Sequence, residues 1–129
     1  MSQATKTVTL DIDIAFGDCD PAGIVFFPNF SKWMDASSLN YFVKCGVPVW
    51  RELVKTTGII GTPILELSIQ FKQAATYGEH IQVHTSIQEW RDKVFIQKHR
   101  VMRADTLLCE GLETRAFCIK HPDLSLIHI

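Results

Sequence analysis

The sequence predicts an α+β domain in which an antiparallel sheet of about five strands wraps around one long helix. Two periodicities carry this prediction. Five separate segments alternate apolar and polar residues, as strands with one face in a core do. Residues 28–45 instead repeat apolar residues at three and four positions, which is the spacing of a helix. Because four strands follow the helix in succession, we expect an antiparallel sheet.

The first element is a strand over residues 8–16. Its alternating apolar residues are Val8, Leu10, Ile12, Ile14 and Phe16. A loop follows at residues 17–23, where two glycines and one proline demand a defined backbone path. Loops held between rigid elements are common places for reactive side chains, so this loop is the first candidate for chemistry.

The long helix predicted at residues 28–45 has Pro28 in its first turn and Gly46 just past its end, which is the usual helix punctuation. One apolar stripe runs along this helix, and we interpret Trp33, Met34 and Tyr41 on it as core packing. The stripe consists of Phe30, Trp33, Met34, Ser37, Tyr41 and Cys45. A second, short helix is predicted at residues 48–57, with Gly58 as its stop signal.

Four further strands are predicted after the helices. Residues 65–71 alternate Leu, Leu, Ile and Phe with polar residues, so this strand is expected to be half-buried. Three more follow at about 79–90, 94–104 and 107–119. A short Ala104-Asp105-Thr106 connection joins the last two and suits a hairpin.

Composition excludes several classes of protein. The chain has 129 residues, 47% of them hydrophobic and 21% charged, which indicates one globular domain. A net charge of −1 provides no field to recruit nucleic acid or an anionic membrane. No segment is long and apolar enough to span a bilayer, and no targeting signal is evident. Four cysteines without metal or disulfide spacing predict reduced thiols and a cytoplasmic location.

The last six residues, Leu-Ser-Leu-Ile-His-Ile, coincide with one translation frame of a transposase end sequence used to fragment DNA for sequencing. We therefore expect residues 124–129 to be a non-native end left by truncation of the gene. The domain itself is expected to occupy residues 1–123. A natural apolar terminus is the alternative.

Two aspartates, Asp18 and Asp20, lie in the loop that precedes the long helix. The first amides of that helix lack intrahelical partners and can receive an oxyanion or a polarised carbonyl oxygen. A carboxylate beside such donors can attack a carbonyl carbon or activate water. A loop aspartate near a helix start is also a common cap or turn former, and spacing alone leaves both interpretations open.

The sequence resembles the hotdog-fold acyl-coenzyme A (CoA) thioesterases, and within them the 4-hydroxybenzoyl-CoA thioesterases. The resemblance extends in register over about residues 8 to 120. It rests on the segments GDCDPAGIV at 17–25, FFPNF at 26–30, WMDA at 33–36, NYF at 40–42, KCG at 44–46, GIIGTP at 58–63 and EWR at 89–91. In that family the sheet wraps the helix, and two protomers pair their sheets to form two active sites at their interface.

The resemblance implies roles for residues of the loop and the helix start. It makes Asp20 the catalytic carboxylate, as nucleophile or general base toward the thioester carbonyl. The Phe27 backbone N–H becomes the oxyanion donor. Asp18 is expected to orient the loop by accepting backbone hydrogen bonds. No metal or other cofactor is implied, and we assign no histidine to catalysis.

For the acyl pocket, the resemblance implies that Asp35 hydrogen-bonds a ring hydroxyl of the substrate across the dimer interface. A buried carboxylate needs such a partner. The alternative is an exposed helical aspartate near Lys32. Trp50 is a candidate for lining an aromatic pocket, although core packing explains it equally well.

Coenzyme A carries phosphates and therefore requires basic residues. Five of them lie within residues 91–103, namely Arg91, Lys93, Lys98, Arg100 and Arg103. The resemblance at residues 90–93 favours Arg91 and Lys93 as phosphate contacts. A solvated strand face is the alternative. Asp92 departs from the pattern, because the 4-hydroxybenzoyl-CoA thioesterase that the sequence resembles has a second arginine there, and the basic tail of that protein has no counterpart here.

We therefore expect an enzyme that hydrolyses an aromatic acyl-CoA, 4-hydroxybenzoyl-CoA or a close analogue, as a cytoplasmic homodimer or homotetramer. Neither nucleic acid nor membrane is an expected partner. The alternatives are a broad short- or medium-chain acyl-CoA thioesterase and a non-catalytic acyl-CoA binding module of the same fold.

Overall fold

The computed structural model describes residues 6–120 and 126–128. The helices are α1 (Pro28–Lys44) and α2 (Trp50–Thr57). The strands are β1 (Thr7–Asp13), β2 (Ile59–Gly61), β3 (Ile64–Phe71), β4 (His80–Arg91), β5 (Val94–Arg103), β6 (Thr106–Ala116), β7 (Cys118–Lys120) and β8 (Leu126–His128). No helix in this described part is long and apolar enough to cross a membrane.

Five strands form one antiparallel sheet in the order β1-β4-β5-β6-β3. Its register places apolar residues opposite one another across four neighbouring strands. Leu10 faces Val83, Val83 faces Val101, and Val101 faces Cys109. The five-stranded sheet and the helix over residues 28–45 are thus as the sequence predicts.

Helix α1 lies on the apolar face of this sheet. Phe30, Trp33 and Met34 are buried in one core cluster with Val83 and Val101. The approach is close: a Cβ atom on Gly111 of β6 would lie 2.5 Å from the Met34 sulfur. A glycine at this position therefore lets the helix pack directly on the sheet.

The ends of two predicted elements differ from the structure. Strand β1 ends at Asp13, whereas Phe16 lies in a single 3₁₀ turn and is 74% exposed. The cause is Asp18, whose carboxylate accepts a hydrogen bond from the Ala15 N–H and turns the chain away from the sheet. Cys45, the last residue of the predicted helical stripe, lies just past the end of α1 and is exposed.

The strand predicted at residues 65–71 is β3, and it is more exposed than the half-buried strand that the sequence predicts. It lies at the edge of the large sheet, paired only with β6 in the described chain. Leu65 and Leu67 are 48% and 40% exposed, and Phe71 is 50% exposed. Within a single chain, apolar side chains on this strand therefore remain in contact with solvent.

The last predicted strand, 107–119, is two strands. β6 ends at Ala116, and β7 leaves the large sheet to pair with β2 and β8 in a second, three-stranded sheet. Residues 124, 125 and 129 lie outside the described residues. The expectation that 124–129 is a non-native end therefore stays a prediction.

Candidate active site

The loop after β1 holds Asp20 at the first position of a tight turn. The Gly23 N–H donates to the Asp20 carbonyl oxygen at 2.9 Å, and the order Asp-Pro-Ala-Gly is typical of a β-turn. The Ala22 N–H donates to Asp20 Oδ1 at 2.9 Å. Asp20 is thus a turn former through Oδ1, as one of the two sequence interpretations holds, and its Oδ2 makes no hydrogen bond within the described chain.

Asp18 joins this loop to the start of the long helix. Its carbonyl oxygen accepts hydrogen bonds from the Phe26 N–H at 2.9 Å and from the Asn29 side-chain amide at 2.8 Å. Its carboxylate accepts from the Ala15 N–H at 2.8 Å. Asp18 accepts backbone hydrogen bonds as expected, and its contacts fix the loop relative to α1.

Phe27 immediately precedes the first residue of α1. The Phe27 carbonyl oxygen accepts the hydrogen bond of Phe30, but its own N–H donates to no acceptor in the described chain. Pro28 contributes no N–H, so the Phe27 amide is an open donor at the positive end of the helix dipole. Such a donor is suited to a developing oxyanion.

Beside this helix start lies an aromatic cavity of about 310 Å³. Residues of the loop, of α1 and of the end of β3 line it. Phe27 is 62% exposed, and its ring contacts Phe71 edge to face with a centroid distance of 6.1 Å. An apolar group can therefore dock next to the open amide.

A second pocket, of about 400 Å³, lies between α1, the start of α2 and the β2–β3 connection. Asp35, Trp50, Thr62 and Arg115 are among its lining residues. The Trp50 ring packs on Phe42 at a centroid distance of 5.4 Å. The two residues that the sequence proposes for the acyl pocket, Asp35 and Trp50, are thus brought together here.

Asp35 is ion-paired with an arginine that the sequence analysis did not identify. Arg115 Nη2 donates to Asp35 Oδ1 at 2.8 Å, and the Asp35 side chain is 67% exposed. Burial lowers the pKa of Arg115, but hydrogen bonds and attraction from Glu113 and Asp35 outweigh it, so the net pKa is raised. Asp35 is therefore neither fully buried nor merely a solvated helical aspartate.

Behind Arg115 runs a chain of buried polar side chains. Arg115 donates to both carboxylate oxygens of Glu113, each at 3.0 Å, and His99 Nε2 lies 2.6 Å from Glu113 Oε1. His99 Nδ1 contacts Thr85 at 2.7 Å, and Thr85 contacts Ser37 of α1 at 2.6 Å. Burial raises the pKa of Glu113, yet the bonds from His99 and Arg115 lower it below its ordinary value overall.

The proposed phosphate contacts lie at the β4–β5 hairpin. Arg91 pairs with Val94 across the hairpin, so Asp92 and Lys93 form a two-residue turn. Asp92 has a φ of 43°, in the left-handed region that aspartate tolerates better than most residues. The conformation of this turn thus explains why an aspartate is suited to position 92. Arg91 hydrogen-bonds Glu89, which raises its pKa, and both Arg91 and Lys93 are exposed.

The remaining basic residues of this segment do not extend a basic patch. Lys98 and Arg100 both approach Glu110, at 3.8 and 3.5 Å. Arg103 pairs with Glu79 at 3.1 Å. Each of these three basic residues is therefore paired with a carboxylate in the described chain, as Arg91 is with Glu89.

The predicted site residues thus form three groups in one chain: Asp20 with Phe27, Asp35 with Trp50, and Arg91 with Lys93. Arg115 is the residue that sequence reasoning missed. Its alternation with Glu113 was a signal, because residues two apart share a strand face. The same spacing is equally common on a solvated face, so burial of the pair is not evident from sequence.

Three comparisons with known proteins bear on this site. The model of the thioesterase-like superfamily matches residues 14–123. The 4-hydroxybenzoyl-CoA thioesterase of Pseudomonas sp. (strain CBS-3) is 50% identical over 98 residues, which cover 76% of this chain and 70% of that protein.

Solved structures similar to this chain include the same kind of thioesterase. That of 4-hydroxybenzoyl-CoA thioesterase from the same strain has a TM-score of 0.91 and 42% identity, and the match covers 95% of this chain and 91% of that one. An aspartate-to-asparagine mutant of 4-hydroxybenzoyl-CoA thioesterase, complexed with 4-hydroxybenzoyl-CoA, has a TM-score of 0.92 and 41% identity with the same coverage. The predicted hotdog fold is confirmed by these matches.

Proposed function

The chain belongs to the thioesterase-like superfamily, and we propose that it hydrolyses 4-hydroxybenzoyl-CoA or a closely related aromatic acyl-CoA to the free acid and CoA. The observation that supports this most strongly is the 50% identity to a relative named for that reaction. Hydrolysis consumes one water, breaks the bond between the carbonyl carbon and sulfur, and releases a carboxylate and a thiol.

We assign the reactive carboxylate to Asp20. Its Oδ1 is engaged by the Ala22 N–H, which fixes the side chain, while Oδ2 is free to react. Oδ2 either attacks the carbonyl carbon to give an anhydride that water then opens, or takes a proton from the attacking water. The complex of an aspartate-to-asparagine mutant of the named relative with its thioester supports an aspartate in this role.

The Phe27 amide is proposed to stabilise the negative charge that develops on the thioester oxygen. Support comes from its lack of an acceptor within the described chain and from its place at the start of a 17-residue helix. A donor that is fixed before reaction needs no reorganisation when the oxyanion forms. The adjacent aromatic cavity can take an apolar part of the substrate beside this amide.

The acyl ring is proposed to lie against Trp50, with its hydroxyl donating to Asp35. Both residues line the 400 Å³ pocket. Arg115 engages Asp35 Oδ1, and Asp35 Oδ2 has no hydrogen-bond partner among the described residues. One carboxylate oxygen thus remains for a ligand donor. The phosphates of CoA are proposed to contact Arg91 and Lys93.

A second copy of the chain is proposed to complete the site by pairing along β3. This edge strand has no partner on its outer side within the described chain, and it exposes Ile64, Leu65, Leu67 and Phe71. Unpaired apolar edges favour association. A cytoplasmic location accompanies the proposal, because all four cysteines are free thiols, as expected in a reducing compartment.

The proposal is tested with a panel of CoA thioesters, monitoring release of the free thiol. The panel contains 4-hydroxybenzoyl-, benzoyl-, butyryl- and hexanoyl-CoA at matched concentrations. We expect the highest kcat/KM for the 4-hydroxybenzoyl ester. A preference for butyryl or hexanoyl would instead identify a broad aliphatic thioesterase. Tight binding of all four esters without thiol release would identify a non-catalytic binding module.

A further inference from the structure

We propose that Arg115 is a positioning residue that holds the Asp35 carboxylate toward the acyl pocket and thereby sets the preference for hydroxylated acyl groups. The inference rests on the proposed function, since it concerns the selectivity of the same site. Arg115 takes no part in the reaction itself. It acts on the substrate only through Asp35.

The guanidinium is held at all three of its nitrogens. Nε and Nη2 donate to Glu113, Nη1 donates to the Thr62 carbonyl oxygen at 2.7 Å, and Nη2 also reaches Asp35. The side chain is only 6% exposed. A planar guanidinium fixed at every nitrogen cannot follow a moving carboxylate, so Asp35 must adapt to Arg115.

The hydrogen bonds behind Arg115 have one consistent direction. Glu113 has a lowered pKa and accepts from Arg115, so its contact with His99 requires that His99 Nε2 carries the hydrogen. With His99 neutral, its Nδ1 accepts from the Thr85 hydroxyl, and the Thr85 oxygen accepts from the Ser37 hydroxyl. Every donor in this chain has an acceptor, which rigidifies a buried network.

This network fixes both partners of the ion pair to the same core. It ends at Ser37 of α1, only two residues from Asp35, and begins at Arg115 of β6. With His99 neutral, the formal charges of Arg115, Glu113 and Asp35 are +1, −1 and −1, which leaves one negative charge at the pocket. A fixed, net negative acceptor favours a ring substituent that donates a hydrogen bond.

The test compares selectivity, defined as the ratio of kcat/KM for 4-hydroxybenzoyl-CoA to that for benzoyl-CoA. In Arg115→Met we expect this ratio to fall at least about ten-fold, because Asp35 loses its fixed partner. General damage to the fold lowers both rates together and leaves the ratio unchanged. Arg103→Met is the matched control, since Arg103 also pairs with a glutamate but lies outside the pocket lining.

Removal of Arg115 alone leaves Glu113 buried without its cation, which threatens folding. The double variant Arg115→Met/Glu113→Gln removes that charge and keeps an acceptor for His99. We expect it to lose selectivity as Arg115→Met does. Arg115→Lys keeps the buried charge but cannot bridge Glu113 and Asp35 with the same geometry, so its ratio should be intermediate.

A cycle with Asp35→Asn identifies the route of the effect. If Arg115 acts through Asp35, replacement of Arg115 changes the ratio little further in the Asp35→Asn background. A folded Arg115 variant with the wild-type ratio, or fully additive effects in the cycle, would overturn the inference.

Binding separates failure of this inference from failure of the proposed function. The probes are two non-hydrolysable ketone analogues in which a methylene separates the aryl carbonyl from the CoA sulfur, one with a para-hydroxyl and one without. Absence of hydrolysis with any aromatic ester refutes the proposed function. A wild-type preference for the hydroxylated probe that persists in Arg115→Met refutes the role of Arg115.

Discussion

Asp35 and Arg115 lie 80 residues apart in sequence and form an ion pair of 2.8 Å at the 400 Å³ pocket proposed to bind the acyl group. The pair joins α1 to β6, whose neighbour β5 supplies the buried His99. Asp35 is thus oriented from behind by a group that is itself buried. This arrangement makes the carboxylate a defined feature of the pocket and motivates the first prediction.

Substrate choice is expected to depend on Asp35. An unsubstituted ring leaves Asp35 Oδ2 without a donor, although Oδ1 keeps its bond from Arg115, and the unpaired oxygen costs on the order of 1 to 3 kcal/mol. The wild type should therefore prefer 4-hydroxybenzoyl over benzoyl thioesters by at least about ten-fold in kcat/KM. Asp35→Ala should reduce that preference, mainly through slower hydrolysis of the hydroxylated ester.

The control for Asp35→Ala is Lys32→Ala, on the exposed surface of the same helix. It should keep the wild-type preference. An unchanged preference in Asp35→Ala would place Asp35 outside the acyl pocket.

Asp20→Asn is expected to lower kcat at least about 100-fold while substrate binding changes little. Asparagine retains an oxygen that accepts the Ala22 N–H, so the turn is preserved and only the reactive charge is lost. Single-turnover hydrolysis and equilibrium binding of 4-hydroxybenzoyl-CoA measure the two effects. Asp18→Asn, which keeps an acceptor for the Ala15 N–H, should retain most of the turnover. Wild-type rates in Asp20→Asn would refute the assignment.

Much of the fold is predictable from local patterns because the core needs them. The apolar stripe of α1 and the apolar residues that alternate along β4 and β5 each define one face of their element, and the structure buries these faces in the core. The predictions that Phe16 lies in the first strand and that β3 is half-buried are wrong for reasons that the local sequence pattern does not contain. The Asp18 carboxylate accepts a hydrogen bond from the Ala15 N–H and turns the chain just after β1, and the position of β3 at the sheet edge leaves its apolar residues exposed.

The site is less predictable than the fold. Asp20 and the Phe27 amide are adjacent in sequence to the loop and helix start that position them, so a motif can indicate them. Arg115 depends on Asp35 and Thr62, which are distant in sequence, and on the pairing of β5 with β6. No short spacing encodes such contacts, which is why only the folded chain identifies this residue.

Loss of Arg91 and Lys93 is expected to weaken recognition of the nucleotide. The double variant Arg91→Ala/Lys93→Ala should raise KM for 4-hydroxybenzoyl-CoA about three- to ten-fold, because exposed charge contacts contribute modestly. The corresponding N-acetylcysteamine thioester lacks the phosphates, so its kcat/KM should not change. Arg100→Ala, whose side chain is engaged by Glu110, is the matched control. An equal loss with both thioesters would contradict phosphate binding at this hairpin.

Introduction of a charge on the exposed edge strand should prevent association. Leu67→Asp is expected to give a monomer at micromolar concentration by light scattering and to lose at least about 100-fold in activity, because the site is shared. Val43→Asp on α1 replaces an equally exposed apolar residue and should stay associated. A fully active Leu67→Asp monomer would rule out the shared site.

The buried pair of Glu113 and Arg115 should make stability depend on pH. The pKa of Glu113 in the folded chain is below its ordinary value of 4.5, so its charge stabilises the fold fully above pH 4.5. That contribution is lost as the pH falls from 4.5 through the folded-state pKa. In Glu113→Gln the contribution is absent, so the wild type should be the more stable protein at neutral pH.

The difference in unfolding free energy between the wild type and Glu113→Gln should then shrink below pH 4.5, by at most about 1.4 kcal/mol per pH unit. Denaturant titrations from neutral pH down to pH 3 measure it. Because the pair is buried, the difference at neutral pH should persist in 0.5 M salt, roughly the concentration at which exposed ion pairs are largely screened. A difference that is constant with pH would contradict the lowered pKa of Glu113. A wild-type advantage that instead grows as the pH falls from neutral to 4.5 would show that Glu113 is protonated in the folded chain, and the direction assigned to the hydrogen bonds of His99 would then be wrong.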